Sequence, residues 1–186
     1  MPFPILVVAV AILASLARGG RFRRIPTADL QGGRLLLAGL VLQVFVDVAA
    51  ARDWVTGSPS YLLLLASQLL VVGWTVTNRY RPGIPLIGLG LALNAIVIAA
   101  NGAMPVDPDA IARLGIDGAQ VRPGKHVLLT EATRLPWLAD ILALPPIRTI
   151  ISVGDIVLAA GLVPLVHHLM TYRPATERRG GRRGRL

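Results

Sequence analysis

The residues best placed to do chemistry lie at the start of the last apolar stretch, where Ser152 precedes Asp155 by three positions. A serine, then an acid three residues later, then an apolar run predicts a helix N-terminus with a capping box. In this interpretation the positive end of the helix dipole stabilises the Asp155 carboxylate. The alternative is a functional site, because an ionisable group at membrane depth is costly and is often kept for function. The pattern favours the cap.

Three further polar residues fall at the predicted depth of Asp155. Asp47 and Asn101 end two other apolar stretches, and Asp140 lies in the loop that leads to Ser152. Elements distant in sequence would therefore converge at one level of the molecule. We predict an outward-facing polar cluster there, with Asp47, Asn101 and Ser152 as candidate binding residues.

Ion pairing is the structural interpretation of the acids in this cluster. Asp47 could pair with Arg52, and Asp140 with Arg134 or Arg148. Such pairs would pin the loop onto the helices, since charged groups near a membrane interior pair with one another.

Three amides lie deeper in the predicted spans. Gln43 and Asn94 lie within two helical turns of the cluster, and Gln68 is near mid-span. Polar side chains in helix bundles usually form interhelical hydrogen bonds. Gln43 and Asn94 are also candidate binding residues because they border the cluster.

Composition identifies the elements that must hold these residues. The chain is 54% hydrophobic and 16% charged, with mean hydropathy +0.63, whereas soluble domains carry about 25% charged residues. This composition and the five apolar stretches predict an all-α membrane protein. It would be a bundle of about five transmembrane helices that forms one domain over residues 1–172. The predicted spans are 3–17, 35–50, 61–77, 84–100 and 153–171.

Charge predicts the orientation of the spans. Most of the 19 basic residues fall in connections that share one side if the N-terminus is outside and the C-terminus is in the cytoplasm, as the positive-inside rule requires. No basic residue precedes the first stretch, which argues against a signal peptide. We predict a multi-pass protein of the bacterial cell membrane, that is, the inner membrane.

The longest connection, residues 101–149, is predicted to lie outside. Asp107-Pro108 predicts the start of a short helix that ends at Gly115, and Val127–Leu129 predicts a short strand. The ten-residue, mainly apolar segment Leu135–Leu144 is too short to span, and its tryptophan predicts an interfacial or re-entrant helix.

The tail 173–186 is predicted to be a basic, disordered cytoplasmic segment. Arginine-rich segments can bind RNA, but anchoring to anionic lipid is favoured and no nucleic-acid partner is expected. The chain has no cysteine, and His167 and His168 have no partner acids at ligand spacing. Neither a metal site nor a cofactor is predicted.

Several motifs resemble a bacterial family of small multi-span proteins, the domain-of-unknown-function family 5317. They are Arg18-Gly-Gly-Arg21, Gln43, Asn101-Gly-Ala-Met-Pro105, Leu138-Ala-Asp140-Ile, and Ser152-Val-Gly-Asp155 with Gly161. The resemblance covers most of the chain. It implies a fold and a membrane location, and no activity.

A fainter likeness is to lipoprotein signal peptidase, an intramembrane aspartyl protease. Asp140 in an outer segment, then Asp155 opening an outside-to-inside span after Asn101, resembles that family's order. It would imply catalytic roles for Asp140 and Asp155. Ser152 replaces the motif asparagine, and the Asp-Arg pair expected after Asn101 is absent. A dyad also needs two carboxylates close enough to share a proton.

Three functions follow from these features. A membrane protein that binds a partner or acts as an assembly factor is favoured, since the topological signals are clear and no strong catalytic motif accompanies them. The first alternative is an intramembrane aspartyl-type hydrolase in which Asp140 and Asp155 are acid and base and Asn101 orients substrate. The second is a small-solute or proton carrier, for which only Gln68 and Asn94 lie near mid-membrane.

Overall fold

The computed structural model describes residues 2–27, 30–52, 54–55, 58–115 and 125–172. The predicted tail 173–186 lies outside them. The described chain is mostly helical, and its principal helices are α1 (Pro2–Ala17), α2 (Gly33–Ala51), α3 (Ser58–Thr77), α4 (Ile84–Asn101), α5 (Pro108–Arg113) and α6 (Val153–Thr171). Phe22–Thr27, Pro136–Leu138 and Pro145–Ile147 are short 3-10 helices.

Four helices, α2, α3, α4 and α6, are long and apolar enough to cross a membrane. They match the predicted spans to within three residues at each end. The first predicted span also forms a helix, but α1 has only 16 residues and reaches about 24 Å at 1.5 Å per residue. Thus four of the five predicted spans have the required length.

Local sequence fixes the ends of these helices. Left-handed glycines, Gly32 and Gly83, precede α2 and α4, and Gly102 follows α4 in the same conformation. Glycine populates positive φ without the steric penalty of a side chain, so it ends helices cleanly. Short connections between them then make α2, α3 and α4 antiparallel neighbours.

The helices pack in an order that differs from their order along the chain. α6 lies between α1 and α4, and α3 lies between α4 and α2. The row is therefore α1, α6, α4, α3, α2. It places the last helix inside the row, where its first turn contacts residues from several elements.

Glycines bring α4 and α6 into close contact. Gly83 and Gly90 of the α4 segment face Gly161 and Gly154 of α6, and a Cβ on any of the four would overlap backbone or side-chain atoms of the opposing helix. We call these four residues the glycine seam. Small residues let helix backbones approach closely enough for extensive van der Waals contact.

Residues 102–115 and 125–152 form a layer over one end of the helices, here called the loop layer. It contains strands β1 (Met104–Val106), β2 (His126–Leu128), β3 (Leu142–Leu144) and β4 (Thr149–Ile151). β1 pairs in parallel with β2, and β3 pairs antiparallel with β4. Met104 and Leu138 of the layer join the apolar core formed by Val46, Leu64 and Val97 of the helices.

The loop layer corrects one prediction and confirms two. Leu135–Leu144 is not an interfacial helix: only Pro136–Leu138 forms a 3-10 turn, and the segment then enters β3. Pairing with β4 supplies the backbone hydrogen bonds of β3. The sequence of Leu135–Leu144 does not indicate this pairing, because β4 lies outside it. The short helix after Asp107 and the strand near Val127 are present. The all-α prediction omitted these small sheets.

Candidate functional site

The predicted capping box is present at the start of α6. The backbone N–H of Asp155 donates to Ser152 Oγ at 3.0 Å, and the backbone N–H of Ser152 donates to Asp155 Oδ2 at 3.1 Å. Ser152 is fully buried, and Asp155 is half-buried. The two residues satisfy each other's backbone donors, which fixes the first turn of α6.

Asn94 joins α4 to this turn. Its Nδ2 donates to Asp155 Oδ1 at 3.0 Å, and its Oδ1 accepts a hydrogen bond of 3.1 Å from Ser152 Oγ. Gly154 lies directly against the Asn94 amide, where any side chain would collide with it. The close helix approach at Gly90 and Gly154 is therefore what lets one short amide reach both Ser152 and Asp155.

Asp140 is held in the loop layer by its backbone. Its N–H donates to the Pro105 carbonyl at 2.9 Å, and its carbonyl accepts from the Asp107 N–H at 2.9 Å. It forms a parallel bridge with Val106, so the 140 segment lies beside β1. The side chain is thereby fixed in a buried position at 8% relative exposure.

The electrostatic environment of Asp140 is unfavourable to its charged form. Burial, and then the negative charge of Asp155, raise the pKa of the Asp140 carboxyl to about 8, while Lys125 has a smaller opposing effect. Among the described residues, Asp140 Oδ1 has no hydrogen-bond partner. At neutral pH this carboxyl is therefore mainly protonated.

Asp47 pairs with Lys125 and not, as predicted, with Arg52. The Lys125 ammonium donates to Asp47 Oδ1, and the Lys125 side chain is only 12% exposed. The backbone carbonyl of Lys125 also accepts the Met104 N–H at 3.0 Å. The pair therefore fastens the start of β2 to α2. Sequence reasoning missed Lys125, although it is the chain's single lysine.

The pairing predicted for Asp140 is also wrong. The Arg148 guanidinium donates to the carbonyls of Leu114 and Gly115, at the end of α5. The Arg134 backbone is held by Asn101, whose Oδ1 accepts the Arg134 N–H at 2.8 Å and whose Nδ2 donates to the Arg134 carbonyl at 2.9 Å. The described cation that acts on the Asp140 charge is Lys125.

The structure thus divides the predicted site residues into separate groups. Ser152, Asp155 and Asn94 are hydrogen-bonded together, and Asp140 lies near enough to feel the Asp155 charge. Asn101 and Asp47 each fasten a different part of the loop layer. Gln43 lies half-buried on α2, and Gln68 is buried within α3. We call Asn94, Asp140, Ser152 and Asp155 the junction cluster.

The part of the chain that the structure describes contains no group of three or more His, Asp or Glu side chains that could hold a metal ion. The junction cluster offers only two carboxylates, and both oxygens of Asp155 already accept hydrogen bonds. The described contacts of the cluster are hydrogen bonds.

The family of unknown function DUF5317 matches residues 27–167, which is more than half of the chain. The chain belongs to this family. No curated protein and no solved structure matches it.

The DUF5317 match contains every residue of the junction cluster and both pairs that fasten the loop layer, Asp47–Lys125 and Asn101–Arg134. It also contains the whole glycine seam. Helix α1 lies outside the match. The features described at this site are thus features of the DUF5317 region.

Proposed function

We propose that this DUF5317 protein is an integral protein of the bacterial inner membrane with five spans, N-terminus outside and C-terminus in the cytoplasm. The length and apolarity of α2, α3, α4 and α6 support membrane insertion. The short α1 packs along α6, and a span of about 24 Å can be accommodated by local thinning of the bilayer. Arg18, Arg79 and Arg81 lie at the end opposite the loop layer, which suits a cytoplasmic side.

The loop layer is the proposed binding platform for a membrane-protein partner, and the protein would serve as an assembly factor. This proposal rests on the intramolecular hydrogen bonds that join the layer to the helices. Asp155, Asn94, Asn101 and Asp47 form hydrogen bonds within the molecule that lock the layer onto the helices. A rigid layer loses little entropy on binding.

The outward surface of the layer supports the same function. Val127, Leu128, Trp137 and Leu142 expose between 38% and 61% of their surface there. Apolar and aromatic residues held rigidly on an exposed surface are typical of protein-binding sites. The occupant we propose is an apolar outer segment of another membrane protein.

Single cysteines test this proposal cleanly because the chain has none of its own. In intact cells, a membrane-impermeant maleimide should label Trp137→Cys and should leave Tyr80→Cys unlabelled. Tyr80 is the matched control because it is 83% exposed but lies at the opposite end. Equal labelling of both positions would contradict the topology.

The same variants test partner binding. A bifunctional cross-linker at Val127→Cys or Trp137→Cys should trap one product of the same mass, and Tyr80→Cys should not. Adding Leu128→Asp should abolish the product, because a carboxylate in an apolar contact loses its solvation without a partner. A lone monomer in every variant would exclude the proposed partner-binding function.

A second candidate is an intramembrane aspartyl-type hydrolase using Asp140 and Asp155. The observation that favours it is a buried, mainly protonated Asp140 near the carboxylate of Asp155, since acid and base catalysis needs one carboxyl of each kind. Against it, both Asp155 oxygens are engaged by Asn94 and Ser152. The partner-binding function therefore accounts for more of the described contacts.

Paired variants of the cap separate these two functions. If the protein binds a partner, Asp155→Asn and Ser152→Ala should both insert, each losing about 1–2 kcal/mol of stability, and both should complement a deletion. In a hydrolase, Asp155→Asn should fold and fail to complement, because an amide cannot act as the base. Ser152→Ala should still succeed, since it leaves the carboxylate in place.

The carrier function is the remaining alternative, and it depends on a polar path through the helices. Two surface cavities lie at opposite ends of the described helices. They are lined by Gln31, Asn78 and Arg81 at one end and by Asn101, Leu128 and Thr133 at the other. The buried Gln68 lines neither of them. The described contacts therefore favour the partner-binding function over the carrier function.

A further inference from the structure

Asp140 is a buried acid whose position is imposed by the backbone around it. The hydrogen bonds from its N–H to Pro105 and from the Asp107 N–H to its carbonyl hold the segment against β1. The Asp140 residue in this bridge is only 8% exposed. Its Oδ1 atom, buried and without a partner among the described residues, therefore stays at the boundary between the loop layer and the helices.

Charged groups face Asp140 from three directions. Asp155 approaches from the first turn of α6, and Lys125 from the segment before β2, where it is already paired with Asp47 of α2. Asp107, beside Asp140 in the layer, caps α5 and pairs with Arg113. Lys125, the cation that acts on Asp140, is thus shared with Asp47. The negative charge of Asp155 repels a charge on Asp140.

We propose that Asp140 is a proton-binding site at which one bound proton keeps the loop layer closed on the helices. With the proton present, Asp140 is neutral and can stay buried within range of the Asp155 charge. Without it, Asp140 carries a buried negative charge whose Oδ1 has no partner among the described residues, and the layer must open to hydrate that charge. The site does not depend on the partner-binding or hydrolase function, because its ligand is the proton alone.

The direction of the pH effect follows from the pKa of Asp140. This pKa is raised from 3.8 to about 8 in the closed state, so the closed state binds a proton that an open, hydrated state releases. Closure is therefore favoured fully at low pH, weakens as the pH rises between those two values, and weakens no further above about pH 8.

Hydrogen exchange on the full chain in lipid nanodiscs measures this opening. After correction for intrinsic exchange, protection of the Asp107 and Asp140 amides should fall about tenfold per pH unit from about pH 6 to about pH 8, and then level off. In Asp140→Asn the protection should not change with pH. Asp109→Asn, a change of an exposed aspartate in the same layer, is the matched control and should behave like the wild type.

An infrared measurement on the wild-type protein does not depend on folding of the Asp140 variant. A protonated-carboxyl band should disappear as the pH is raised through about 8, and Asp155→Asn should lower the midpoint, because the repelling charge is gone. A protection profile in Asp140→Asn that matches the wild type would overturn the proposal. So would a wild-type spectrum with no carboxyl that titrates in this range.

Discussion

Gly90→Ala is expected to destabilise the protein by about 2–3 kcal/mol, as overpacking of a tight interior does. A Cβ at position 90 would collide with the Gly154 carbonyl and lie 2.7 Å from the Leu158 N. Both are backbone atoms of α6, so a rotamer change cannot relieve the contact. The helices must separate, which also pulls Asn94 away from Ser152 and Asp155.

Gly73→Ala is the matched control for this effect. Gly73 is also a helical glycine, but a Cβ there meets no atom within 4 Å. Alanine is the better helix former by about 0.5–1 kcal/mol, so this variant should be neutral or slightly more stable. Reversible unfolding in mixed micelles measures both. Equal stability of the two variants would show that α4 and α6 do not depend on the seam.

Helix positions were predictable from sequence because they depend on local signals. Ser152 and Asp155 fix the start of α6 through their own backbone contacts, and Gly83 fixes the start of α4. The packing order was not predictable. Contact between α4 and α6 depends on glycines far apart in the chain, and the residues around a glycine do not indicate which helix will face it.

The candidate site was predictable only in part, because some of its contacts depend on local signals and others join residues far apart in the chain. Span length placed Asp140 and Asp155 at one level and Asn94 about two helical turns deeper, and the structure brings the three residues together. The partner of Asp47 was missed, since Lys125 is 78 positions away. The buried state of Asp140 was also missed, because it depends on strand-like pairing with Val106, which the sequence of Leu135–Leu144 does not indicate.

The glycine seam and the junction cluster depend on each other. The seam brings the helices close enough for Asn94 to reach the α6 cap, and the cap in turn positions Asp155 near Asp140. Disruption of either feature should therefore affect the loop layer as well as the helices. This dependence distinguishes the cluster from a set of independent surface contacts.

Asn94→Leu tests that dependence and should cost about 2–4 kcal/mol, the sum expected when the buried Ser152 hydroxyl loses its acceptor and the half-buried Asp155 carboxylate loses one donor. Leucine has the same number of side-chain heavy atoms as asparagine, branched at the same carbon, but cannot donate to Asp155 Oδ1 or accept from Ser152 Oγ. The Ser152 hydroxyl is fully buried, so water cannot replace the lost bond without opening the junction.

Gln43→Leu, which changes a half-buried amide on α2, is the control and should have a smaller effect. Unfolding in mixed micelles gives the stability, and hydrogen exchange at the Asp155 amide reports the junction directly. If Asn94→Leu and Gln43→Leu were equally stable and equally protected at that amide, Asn94 would not be the link between α4 and α6.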